Sequence, residues 1–328
     1  MIITRTPLRV SFLGGGSDLA EFYEQSPGAV LSVSIDKYMY IQSHKYFDDD
    51  RIRAKYSVTE TVGSVDELRH PIIREALKKF DIAGGIEISS ICDIPSGTGL
   101  GSSSTFTVGM LHNLYTRAGV FATKDRLAEE ACDIEIKRLG EPIGKQDQYA
   151  AAFGGINVFR FEASGVVRTE PLYLPDGYSD ILDRHLALFY TGRQRSASAI
   201  LSEQKKGMDD QGKRKALERM VQFVASGKQL LYSGDMRGFG ELIDAGWRLK
   251  KELASKISDG EIDEIYEKGL RLGAYGGKLL GAGGGGFMLF ICPPDRQQEL
   301  NAGLGGMKRI GIHLEAEGSK VIYVGDES

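Results

Sequence analysis

Three acidic residues, one arginine and a run of serines behind glycines carry the chemistry that can be read directly in this chain of 328 residues. The richest segment is Pro95-Ser96-Gly97-Thr98-Gly99-Leu100-Gly101-Ser102-Ser103-Ser104. It follows a strand-like stretch at 86–94 and runs into a helical pattern in which Val108, Leu111, Leu114 and Tyr115 recur at helical spacing. A glycine-rich turn entering a helix presents unpaired N–H groups and the positive end of the helix dipole. Serines placed there add hydroxyl donors or metal-facing oxygens. These are the requirements of a phosphate cradle. No Gly-Lys-Ser/Thr closes it as in a Walker loop, and the G-x-G-x-x-G order of a dinucleotide fold is absent. A plain serine N-cap is the alternative.

The carboxylates are read by where they fall on their elements. Residues 123–140 predict a helix, with Thr123 as N-cap and Gly140 at its stop. At about 100° per residue, Glu135 lands in the middle of the apolar face formed by Leu127, Ala128, Ala131, Cys132 and Leu139, whereas Glu129, Glu130, Asp133 and Lys137 lie opposite. A carboxylate on a burying face needs a metal or a cation, so Glu135 is either a ligand or half of a salt bridge to an arginine. Asp147, in Gly144-Lys145-Gln146-Asp147-Gln148-Tyr149, sits before a small-residue helix. There it could act on a bound hydroxyl, with Lys145 offsetting its charge, or cap that helix. In the N-terminal segment, Arg9 lies on an alternating strand and Asp18 follows the turn Gly14-Gly15-Gly16. Arg9 could bridge a phosphate or orient Asp147. Asp18 could bind ligand hydroxyls or serve the turn.

These residues need rigid elements around them, and the composition supplies enough apolar sequence. With 41% hydrophobic residues, the length predicts about two domains. The break is expected near Pro171, Pro175 and Gly177, giving regions 1–176 and 177–328. The 42 glycines are close to twice the usual share of about 7%, yet they form no Gly-X-Y repeat and only 9 prolines accompany them. They cluster instead, at 14–16, 97–101, 281–286 and 303–306, and the first three clusters adjoin strand-like segments. The last is read as a helix end or surface turn. Helices are expected over 213–232, 238–255 and 260–273, with strands near 287–292 and 319–324.

The formal net charge of −4 and the lack of a basic–aromatic stripe argue against a nucleic-acid partner. No apolar run approaches a membrane span, and no signal segment opens the chain, so a soluble cytoplasmic protein is expected. Cys92, Cys132 and Cys292 match no metal spacing and are read as reduced, packed side chains. His44, His70, His112, His185 and His313 likewise lack ligand spacing, and Trp247 reads as helix packing among Leu242, Ile243 and Leu249. No motif specifies an oligomeric state.

The order of these motifs resembles that of the GHMP small-molecule kinases: Pro-x-Arg-Val with Gly-Gly-x-x-Asp, then Pro-x-x-x-Gly-Leu-Gly-Ser-Ser, then Asp-Gln, then Gly281-Ala282-Gly283-Gly284-Gly285-Gly286. Gly-Lys-Gln-Asp-Gln-Tyr-Ala-Ala-Ala-Phe-Gly-Gly and Tyr190-Thr191-Gly192-Arg193-Gln194-Arg195 look most like the branch acting on D-glycero-D-manno-heptose 7-phosphate, with fucokinase-type sugar kinases next. The resemblance implies an N-terminal α/β domain carrying the phosphate loop and a C-terminal ferredoxin-like α+β domain. It also implies ATP and Mg²⁺ as cofactors, a sugar phosphate as acceptor, and a place in nucleotide-activated heptose synthesis.

The implied roles follow position by position. Pro95 and Gly97 to Ser104 match the ATP-phosphate loop, Ser103 and Glu135 the magnesium ligands, Asp147 the acid–base carboxylate, and Arg9 the basic residue near the transferred phosphoryl. Gly15, Gly16 and Asp18 match a sugar-binding turn, and Gly283, Gly284 and Gly285 a loop shaping the substrate side. Lys145, Arg193 and Arg195 are candidates for the acceptor's own phosphate. A ligand-sensing homologue without turnover is the alternative from a different class, and the presence of Ser103, Glu135 and Asp147 together favours catalysis.

Overall fold

The computed structural model describes residues 1–193 and 197–325. The N-terminal region runs β1 (Ile2–Leu13), α1 (Ala20–Tyr23), β2 (Gly28–Lys45), β3 (Ile52–Lys55), β4 (Thr59–Val62), α2 (Pro71–Lys79), β5 (Ile86–Cys92), α3 (Ser102–Arg117), α4 (Lys124–Cys132), α5 (Gln146–Phe153), β6 (Ile156–Phe161) and β7 (Val167–Pro171). The remainder is α6 (Tyr178–His185), β8 (Leu186–Tyr190), α7 (Ala197–Lys206), α8 (Gln211–Ser233), α9 (Met236–Lys251), α10 (Gly260–Arg271), β9 (Gly276–Leu279), β10 (Phe287–Ile291), α11 (Gln297–Gly303), β11 (Lys308–Ile310) and β12 (Lys320–Val324).

Two sheets result. The first is ordered β12-β1-β2-β5-β3-β4, with β6 on the early half of β2 and β7 beside β6. Its pairing is antiparallel except between β3 and β5, so its helices are not simple crossovers between parallel strands. The second, β11-β8-β10-β9, is wholly antiparallel and has the strand order of the ferredoxin-like split βαβ motif. The expected break at 176/177 falls between β7 and β8. One element corrects that division: β12, assigned by position to the second region, pairs with β1 of the first sheet. That pairing covers the edge of β1 and so satisfies backbone groups that would otherwise be open.

From Thr6 onward β1 is buried on both faces. Leu8, Val10 and Phe12 enter a core that also holds Phe223, Val224, Phe239 and Ile243 of α8 and α9 and Leu188 and Leu289 of the second sheet. Because strand side chains alternate, Arg9 between Leu8 and Val10 is sent to the opposite face, toward α3 and α5. The glycine run 281–286 forms the connection between β9 and β10. The 303–306 glycines end α11 and the turn after it, as expected. Gly234 in the left-handed region closes α8, and the Asp235 carboxylate accepts from Gly238 N to start α9. No helix among the described residues is long and apolar enough to cross a membrane.

The predicted 123–140 helix is α-helical only through Cys132 and continues as a π-helical turn, Asp133–Arg138. Thr123 is its N-cap, accepting from Arg126 N. Trp247 is fully buried in the helix core, and the three cysteines are free thiols, two of them buried.

Two of the glycine clusters meet. A Cβ on Gly281, whose φ is +76°, would lie 2.5 Å from the Gly99 Cα, and one on Gly286 would lie 2.3 Å from the Thr98 carbonyl oxygen. Backbone faces backbone at both points, so neither side can yield. Gly281→Ala is expected to destabilise the fold by at least about 2 kcal/mol. Gly119→Ala, with a similar φ of +67° but open space around it, is expected to cost about 1 kcal/mol. Thermal denaturation of the two variants in parallel checks the difference.

Candidate active site

The Arg9 guanidinium donates twice to Asp147, from Nε to Oδ1 at 2.8 Å and from Nη2 to Oδ2 at 2.8 Å. Its Nη1 donates to the Gly99 carbonyl at 2.7 Å, and its backbone N to the Leu100 carbonyl at 3.2 Å. Arg9 is buried, whereas the Asp147 side chain is 24% exposed and faces the cleft. Of the two roles open to Arg9, its hydrogen bonds favour orienting Asp147. A bidentate fork fixes the carboxylate plane in a way one contact cannot. Asp147 is not the cap of α5: that helix begins at Gln146, after Lys145.

Gly97, Gly99 and Gly101 have φ of +72°, +86° and +77°, a sequence of left-handed steps that folds the loop over the start of α3. Gly101 is the N-cap, and no side chain caps the helix there. The serine N-cap alternative is therefore not what forms. The first N–H groups of α3 stay available to an anion, and Ser102, Ser103 and Ser104 line the cleft. Pro95 and Leu100 do not line it. The Pro95 carbonyl accepts from Thr98 Oγ1 at 2.9 Å, and Leu100 is buried in the shared core, so both shape the loop from behind.

Glu135 is 1% exposed and accepts from Ser103 Oγ at 2.8 Å and from Gln148 Nε2 at 2.8 Å. Burial pushes its carboxyl up to about 7 against the lowering effect of those hydrogen bonds. No ion pair to Glu135 forms among the described residues, which removes the salt-bridge alternative. The helical wheel put Glu135 on the inner face. The π-helical turn that carries it is a device often found where a helix serves a site.

Asp18 is buried and accepts from Gly16 N at 3.0 Å, Gln146 N at 3.2 Å and Gln146 Nε2 at 3.2 Å. Burial first, and the charge of Asp147 second, raise its carboxyl above the usual range. Asp18 thus joins the glycine turn to the start of α5 while still facing the cleft, as Gly16 does. Gly15 does not line the cleft and packs against Ser11 and Gln146.

Several expectations for the acceptor side are corrected. Lys145 turns away from the cleft, donating to the Gly165 carbonyl at 2.6 Å with its ammonium 5.0 Å from the Tyr23 ring centre. Arg193 is held at the start of α10 by Asp259 and Glu261, each at 2.8 Å. Gly283, Gly284 and Gly285 pack on Ile257 and Arg193, leaving only Gly281 and Ala282 of their loop on the cleft. The loop's conformation serves its contact with the phosphate loop. Arg195 lies outside the described residues.

Other residues complete a cleft of about 360 Å³, among them Glu141, Gln146, Gln204 and Lys250. Among the described residues, Gln204 Nε2 and Gln146 Oε1 are buried without partners, one an unused donor and one an unused acceptor. A signal existed for two of these residues. Lys250 follows Ile243 and Trp247 at i+7 and i+3 on the apolar stripe of α9, and Gln204 follows Ile200 at i+4 on α7. The reasoning that singled out Glu135 applies equally to both.

Residues 69–155 match the family described as GHMP kinases N terminal domain, and residues 228–304 match GHMP kinases C terminal. A D-glycero-alpha-D-manno-heptose 7-phosphate kinase of Campylobacter jejuni is 30% identical over 313 residues, covering 91% of each chain. Among solved structures, a D-glycero-D-manno-heptose 1-phosphate kinase from Bacteroides thetaiotaomicron superposes with a TM-score of 0.82 at 24% identity, covering 99% of this chain and 100% of that one. A putative sugar kinase of Campylobacter jejuni gives 0.77 at 27% identity, covering 98% and 97%. The chain belongs to the GHMP kinases, phosphotransferases whose acceptor is a hydroxyl group.

Asp147→Asn keeps the side-chain shape but cannot take a proton. It is expected to lower kcat by about 10²- to 10⁴-fold with a native circular dichroism spectrum. Full turnover in that variant would remove Asp147 from the chemistry.

Proposed function

We propose that this GHMP kinase transfers the γ-phosphoryl group of ATP to the anomeric hydroxyl of D-glycero-D-manno-heptose 7-phosphate, giving the 1,7-bisphosphate. The sequence relation to the Campylobacter jejuni heptose 7-phosphate kinase, spanning 91% of both chains, is the observation that carries this reading. The proposed setting is the cytoplasm, in nucleotide-activated heptose synthesis.

The chain's own groups divide the work of an in-line transfer. Asp147, held by Arg9, takes the proton of the attacking hydroxyl as its oxygen bonds to phosphorus. The bond from phosphorus to the bridging oxygen breaks, and the electron pair leaves with ADP. Gly97, Gly99, Gly101 and the N–H groups of Ser102 to Ser104 hold the donor's phosphates. Ser103 Oγ and a Glu135 oxygen, 2.8 Å apart, are the oxygen donors that would hold a magnesium ion. When bound, Mg²⁺ would supply neutralisation of phosphate charge during the transfer. Asp18, Gln146 and Gln204 offer acceptors and donors for sugar hydroxyls.

ADP release, measured with a panel of heptose 7-phosphate, the dephosphorylated heptose, fucose and galactose, is expected to be fastest with the heptose 7-phosphate. Activity confined to free sugars would overturn the assignment in favour of a fucokinase-like enzyme. Glu135→Gln is expected to raise the Mg²⁺ concentration for half-maximal rate at least about tenfold, checked by metal titration at saturating ATP.

A further inference from the structure

Lys250 stands on the inner face of α9, and its side chain lines the cleft although the residue is only 6% exposed. An ammonium has three donors, and among the described residues one is used, toward the Gly281 carbonyl at 2.6 Å. It forms no ion pair among the described residues. A buried charge without a counter-ion is among the most costly features a fold can retain, and tying down a glycine carbonyl requires only a neutral donor. Asp18 and Asp147 lie near enough to attract this charge, but neither hydrogen-bonds to it among the described residues, which leaves donors for an anion in the cleft.

Position identifies that anion. The carbonyl Lys250 holds belongs to Gly281, whose backbone abuts Gly99 of the phosphate loop; the Gly99 carbonyl in turn is held by Arg9. The charged groups around Lys250 are Arg9 and Lys278, which repel it, and Asp18 and Asp147, which attract it. Burial and Arg9 lower its ammonium to about 8, so it stays largely charged at neutral pH. Arg9 is already committed to Asp147. Lys278, equally buried, donates to the Phe12 carbonyl at 3.0 Å and does not line the cleft. Among the described residues, Lys250 is thus a cation with donors to spare beside both the glycine-rich loop and Asp147.

We infer that Lys250 is a catalytic cation of this site, donating to the phosphoryl group as it passes from the nucleotide to the acceptor oxygen. Negative charge spreads over the equatorial oxygens of that group during transfer, and a fixed donor in a water-poor cleft stabilises it without reorganising. The inference rests on phosphoryl transfer in this cleft and holds for whichever acceptor the sugar panel identifies.

The test compares wild type with Lys250→Met and Lys250→Gln, using an acceptor that the wild type demonstrably turns over. Both variants are expected to lose about 10²-fold or more in kcat, with KM for ATP and for the acceptor changed less than about threefold. Lys250→Met should melt at the same or a higher temperature, since it replaces an unpaired buried charge by an apolar side chain of similar length. Lys250→Gln keeps a neutral donor, so its activity separates the charge from the tie to Gly281. A lysine that is merely structural would give lower melting temperatures with kcat per folded molecule retained, and this overturns the inference. So does a rise in KM confined to a phosphorylated acceptor with kcat intact, which would place the ammonium on the acceptor's own phosphate. Absence of wild-type turnover with every sugar would count against the proposed acceptor class and is read independently of the variants.

Discussion

One guanidinium ties together three parts of the chain that are remote in sequence. Arg9 belongs to β1, Gly99 to the phosphate loop and Asp147 to the first turn of α5, and the side chain of Arg9 bonds to both of the others. This group sets the distance between the glycine-rich loop and Asp147, and under the proposed function that distance matters because misplacement of about 1 Å can cost two orders of magnitude. The burial of β1 on both faces keeps the guanidinium from moving. Leu8 and Val10 are locked into the shared core on one side, which leaves Arg9 a single direction to point.

The second constraint is the backbone contact between the two glycine loops. Gly99 and Gly281 approach too closely for any side chain, and Gly286 does the same against Thr98. The hairpin loop of the second sheet thereby buttresses the phosphate loop of the first. Together with the core formed by β1, α8, α9 and β10, this contact makes the cleft a product of both regions. The return of β12 to the edge of β1 joins them again by hydrogen bonds.

Much of the site was legible because unusual residue types stood in unusual places. Glycines alternating before serines, and a glutamate on an apolar helix face, each imply a partner that the segment itself lacks. The acceptor side was less legible. Lys145 and Arg193 are basic residues near motif sequences, but their direction depends on contacts with Gly165, Tyr23, Asp259 and Glu261, none of which local patterning specifies. Gln204 lies on α7, outside the helices expected from the pattern, and Lys250 shares its stripe of α9 with Ile243 and Trp247, whose apolar packing carries the signal there.

By itself, the sequence pointed to a chain of about two domains, to helix and strand periods over much of its length, to a glycine-rich turn entering a helix, and to Asp18, Glu135 and Asp147 as carboxylates in need of partners. These follow from local rules: the period of apolar residues, the φ that only glycine adopts readily, and the cost of burying a charge. Only the tertiary structure decided that Arg9 hydrogen-bonds to Asp147, that the third glycine run packs against the loop at 97–101, and that β12 pairs with β1. Each of these is a meeting of segments far apart in the chain. Long-range approach is set by how the two cores close on one another, and no local pattern encodes which side chains will then share a cleft.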